Sequence, residues 1–101
     1  MSREIDRLER KIRDANNQVS KVNSAISSIN AAIDCNDNLL KCCTAYFKVD
    51  GVVFTKDEIS NVSSYLNAAL SNANRILSDI QSQISNWKRT IRRLEREEDD
   101  D

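Results

Sequence analysis

An all-α fold, two helices turned back on each other as an antiparallel, coiled-coil-like hairpin, follows from three features of this 101-residue chain. Two apolar registers, each stepping by three and four residues, run through its two halves. Gly51 is the one strong local breaker between them, and the chain contains no proline. A capping box, Thr55-Lys56-Asp57-Glu58, marks the start of the second register.

The first register reads Ile5, Leu8, Ile12, Ala15, Val19, Val22, Ile26, Ile29, Ile33, Asn36, Leu40, Cys43 and Phe47, and predicts a helix over about 3–47. Ser2 is placed to cap it, and Glu4 and Asp6 put negative charge where the helix dipole favours it. Asn36 is the one strongly polar seam residue, a register-fixing device that costs stability but limits slippage.

A turn is expected over about 48–54. Asp50-Gly51 with valines on both sides is a tight-turn signal, and the segment has the makings of a small two-stranded tip. So short a connection makes the helices antiparallel. The second helix is expected over about 56–96. Phe54 and Ile59 are spaced to staple across its capping box. Its seam is Ile59, Leu66, Leu70, Ala73, Leu77, Ile80, Ile84, Trp87, Ile91 and Leu94, interrupted only at Ser63. Lys88, Arg89, Arg92, Arg93 and Arg96 suit a helix C-terminus, and the acidic tail 97–101 is expected to fray from it.

Antiparallel seams pair at a nearly constant sum of residue numbers. A sum near 99 sets Ile5 by Leu94, Leu8 by Ile91, Ile12 by Trp87 and Val19 by Ile80. A sum near 106 also fits the heptad phases but leaves Ile5 and Leu8 opposite the acidic tail, so the first is preferred. It places Trp87 in the seam near Ile12 and Ala15.

Composition narrows the function. The length suits one small domain spanning 1–101, and the net charge of −1 implies no bulk attraction to nucleic acid or anionic membrane. No apolar run approaches the roughly 18 residues of a membrane span. The start Met1-Ser2-Arg3-Glu4 lacks a signal-peptide apolar region, so a cytoplasmic location is expected. There is no histidine, no Gly-rich phosphate loop and no Cys–His pair, and the carboxylates fall on solvated helix faces. The reading is therefore not an enzyme, with no catalytic residues and no cofactor. Three cysteines without histidine make a poor zinc ligand set, so no metal is expected. Cys35 and Cys42, about 10 Å apart along an unbroken helix, lie beyond disulfide reach. The basic residues near Trp87 are neutralised by Glu4, Asp6, Glu9 and the tail, which argues against nucleic acid.

Beside the seams lies a second apolar edge. Ala25, Ala32 and Leu39 on the first helix and Val62, Ala69 and Ile76 on the second widen the stripe only toward the turn. Toward the termini the same positions hold Glu4, Lys11, Gln18, Gln83 and Thr90. Bundles of three or more helices use the wider stripe, so these six residues are expected to bind a partner and complete a helical bundle. The tip residues Tyr46, Phe47, Val52 and Phe54 are the next candidates.

A Ser/Asn-rich chain of about a hundred residues folded as one helical hairpin, with Tyr46-Phe47-Lys48-Val49-Asp50 spelling Tyr-x-x-x-Asp, resembles the small helical partners of bacterial type VII secretion. These are the Trp-x-Gly family and the accessory proteins of LXG toxins. The turn here is Val49-Asp50-Gly51-Val52 in place of Trp-x-Gly, and Tyr46 ends the first helix where the family's tyrosine signal follows the second. The resemblance therefore implies an accessory partner that binds the helical targeting region of a toxin, cytoplasmic or co-exported with it. The alternative class is a self-associating coiled-coil scaffold or tether, which needs only copies of itself.

Overall fold

The computed structural model describes residues 3–42 and 46–99, and the side chains from residue 48 onward in the second segment. Helix α1 covers Arg3–Cys42, strands β1 (Tyr46–Val49) and β2 (Val52–Thr55) form a hairpin, and helix α2 covers Lys56–Asp99. The two helices pack against each other as the predicted all-α hairpin. The expected Ser2 cap, the Cys43 seam position and the last two residues of the acidic tail lie outside the described residues.

Contacts divide the chain into two compact units, and each draws on both helices. One comprises 1–23 and 75–101, the other Ser24–Asn74. In the first, Ile5, Leu8 and Ile91 are buried together, and Ile12, Trp87 and Leu94 pack around them. The start of α1 thus meets the end of α2 in antiparallel fashion. These six residues are the first three pairs of the preferred register. Each fully buried aliphatic side chain contributes about 1.5–3 kcal/mol. Trp87 is half-buried instead of enclosed, because its ring closes the edge of this cluster with the Lys11 ammonium 5.8 Å from the ring centroid.

In the second unit the seam is pinned by a polar contact. Asn36, only 7% exposed, donates from Nδ2 to the Ile59 carbonyl oxygen at 2.9 Å and to Ser63 Oγ. The two polar interruptions, one per seam, are therefore each other's partners, in the same register as the apolar pairs of the first unit.

Helix α1 is described through Cys42, and the expected boundary near 47 does not hold, because Tyr46 onward pairs as a strand. Every strand residue except Lys48 is β-branched or aromatic, which favours pleated backbone. Phe47 pairs with Phe54 and Val49 with Val52 in antiparallel register, and only Asp50 and Gly51 turn the corner. Their φ values of 50° and 82° are both positive, as a type I′ turn demands. The Gly51→Ala variant is expected to lose about 1 kcal/mol of stability, read from urea unfolding, although a Cβ there would meet nothing within 4 Å. An unchanged midpoint would refute the turn assignment.

The start of α2 is as expected. The Glu58 amide donates to Thr55 Oγ1 at 3.2 Å, so Thr55 is the N-cap. At the other end α2 continues through Glu97 and Glu98 to Asp99, past the expected boundary near 96. The Arg93–Glu97 pair, 3.8 Å apart at i,i+4 spacing, favours that last turn and works against the unfavourable dipole of acidic residues at a C-terminus. Among the described residues, no helix is long and apolar enough to cross a membrane.

Candidate interaction surface

The second unit carries a groove of about 300 Å³ beside the hairpin tip. Its floor is Asn36 and Ile59, its walls are Leu39 and Val62, and Val49, Phe54 and Glu58 close it. The local sequence explains the shape. The Asp50-Gly51 turn reverses the chain in two residues, so Val49 and Phe54 return to the same side of the helices. The Thr55 cap then fixes where α2 starts, which holds Glu58, Ile59 and Val62 in line.

Of the six residues expected to bind a partner, the structure brings Leu39 and Val62 together as the groove walls. Leu39 and Ala32 are half-buried, while Val62 is 45% exposed and Ala25 and Ala69 are exposed. Ile76, 47% exposed, belongs to the other unit. Among the tip candidates Phe54 lines the groove, and Val52 is exposed at the turn. The side chains of Tyr46 and Phe47 lie outside the described residues.

Two features of this surface escaped the sequence expectation. Tyr65 is 76% exposed and lies three residues from Val62 and four from Ala69, on one face of α2. Its signal was a lone aromatic off the seam. The second is an absence of charge. No Asp, Glu, Lys or Arg occurs between Lys21 and Asp34 or between Glu58 and Arg75. Helix surfaces facing water ordinarily carry charge, and here the exposed positions, apart from Val62 and Tyr65, are Ser, Asn and Ala, small enough for another helix to approach closely.

Another concave region follows the last turns of α2, lined by Arg89, Arg92, Arg93 and Arg96 with Glu95 and Asp99 among them. Arg89 is also hydrogen-bonded to Asn86. Acids are interleaved with the cations there, and Arg93 also pairs with Glu97. Cys35 and Cys42 are free and exposed on the unbroken α1. Among the described residues no cluster of His, Cys, Asp or Glu has the makings of a metal site.

Comparison with protein-family models, with curated proteins and with solved structures finds no match to this chain.

Proposed function

We propose that this chain is a non-enzymatic interaction module that docks a helical protein along the groove and the Val62–Tyr65–Ala69 face of α2. The observation that carries the reading is the conjunction of an open apolar groove with an uncharged helical surface bearing an exposed tyrosine. Tyrosine is a frequent interface anchor, because it supplies large contact area at low rotamer cost. An apolar patch of this kind on a small chain marks an interaction site, and a partner helix would turn it into bundle core. The resemblance to type VII secretion partners makes the helical targeting region of an LXG toxin the preferred occupant, with this protein as its accessory subunit in the cytoplasm or during co-export.

The test is co-expression of the full chain with such a targeting region, followed by size-exclusion chromatography. A stable complex is expected. The double variant Val62→Glu/Ala69→Glu should weaken it by roughly 30-fold or more, since interface anchors are worth about 2 kcal/mol or more each. Both positions are exposed, so helix content should stay unchanged by circular dichroism. Failure to form a complex, or undiminished binding by the variant, would sink the proposal.

A further inference from the structure

Among the described residues, the outer edge of β2 carries no strand. Among those residues the sheet has two strands, and nothing pairs with the far side of β2. In a two-residue hairpin the residues flanking the turn, Val49 and Val52, share hydrogen bonds, so the next residue along, Val53, aims its N–H and C=O away from β1. Natural edges are usually guarded by charge or proline. β1 has Lys48 in its middle, whereas Val52-Val53-Phe54-Thr55 has no guard at all. Val53 is 51% exposed and Val52 55% exposed, a wet apolar strand in a sheet too small to be stable by itself.

We infer that β2 pairs antiparallel with β2 of a second copy, giving a four-stranded sheet with its two-fold axis at Val53. A second copy is favoured over an unrelated strand because the edge is complementary to itself. With Val53 opposite Val53, each Val53 amide donates to the other's carbonyl, and the two exposed side chains meet. Carried past the strand ends, the same register brings Lys56, the first residue of α2, of each copy toward Asp50 at the turn of the other, so opposite charges flank the contact. Each chain then leaves the pairing beyond the other's turn. This contact is made by the backbone edge of β2, a different surface from the α2 face of the helical docking proposed above. Four-residue strands bury far less than the roughly 1,200 Å² of a stable complex, so the association is weak and concentration-dependent.

The experiment is analytical ultracentrifugation of the full chain over a dilution series, with amide hydrogen exchange at Val53. The wild type is expected to pass from monomer to dimer with rising concentration, and the Val53 amide to exchange more slowly as it does. Val53→Lys should raise the dimer dissociation constant roughly tenfold or more, because the two-fold axis sets the two ammonium groups opposite each other. Lys56→Asp should weaken the dimer by opposing Asp50, and Lys56→Asp/Asp50→Asn, which retains a residue suited to the turn, should recover part of the loss. A wild type that stays monomeric throughout overturns the inference, and so does a Val53→Lys variant that dimerises normally. If Val53→Lys loses helicity, the wild-type amide decides: exchange that is fast and independent of concentration overturns the pairing, and concentration-dependent protection upholds it.

Discussion

Leu8→Ala is expected to lower stability by about 2–5 kcal/mol, the ordinary cost of removing a buried leucine and leaving its space unfilled. Leu8 is 5% exposed, and its neighbours Ile5 and Ile91 come from opposite ends of the chain. Long side chains along a narrow two-helix seam have little freedom to collapse into the gap, which argues against the low end of the range. Domains of this size have about 5–15 kcal/mol in total, so the loss is a large share, and the midpoint of a circular-dichroism melt should fall by about 10 °C or more. A fall of only a few degrees would mean that Leu8 is not part of a packed core.

The second large effect is expected at Asn36, where Asn36→Asp changes hardly any volume. The wild-type amide donates to the Ile59 carbonyl and to Ser63. An ionised aspartate has no donor and sets a buried negative charge against that carbonyl oxygen. The Ser63 hydroxyl can turn to donate, and the N-terminal dipole of α2 offsets up to about 1 kcal/mol. The loss of a charge-compatible partner at a buried site costs more, so a net destabilisation of about 3 kcal/mol at neutral pH is expected.

Protonation relieves this effect. A protonated carboxyl is again a donor, so the folded variant holds its proton more tightly than the unfolded chain, whose aspartate titrates near about 3.9. The folded-state pKa is therefore raised. The stability that the proton supplies is fully present below about 3.9 and is lost as pH rises through the folded-state value. Urea unfolding of variant and wild type at neutral pH and near pH 4 checks this, since the difference between them should narrow in acid. A difference that is the same at both pH values would mean that residue 36 does not face the carbonyl.

Much of the architecture was legible because it rests on local chemistry and on periodicity. The apolar residues that are buried among those described, Ile5, Leu8, Ala15, Ile59, Ile84 and Ile91, all stand in the two registers, and the Thr55 cap and the Asp50-Gly51 turn were readable from residue type alone. Heptad phase with the need to partner every apolar terminal residue selected the register. The end of α1 was not legible. At Phe47 a heptad position and an alternating strand position coincide, and the pattern cannot tell them apart. Strand pairing with Phe54 across the turn settles it, and that pairing exists only once the chain has reversed.

The surface divides in the same way. Residue spacing along the sequence placed Leu39 and Val62 beside their seams, and heptad arithmetic found them. It could not find the groove between them, because its closing residues, Val49 and Phe54, reach it through the hairpin and not through either helix. Nor could it tell which polar seam residue would find a partner. Asn36 read as a register-fixing residue and Ser63 as an interruption of the other seam, and the antiparallel packing makes them one hydrogen-bonded pair. Sequence by itself determined what repeats along the chain, namely the helices, their inward faces and the turn between them. Only the tertiary structure decided what meets across the chain, because a contact between distant residues depends on how the backbone reverses, which no local pattern encodes.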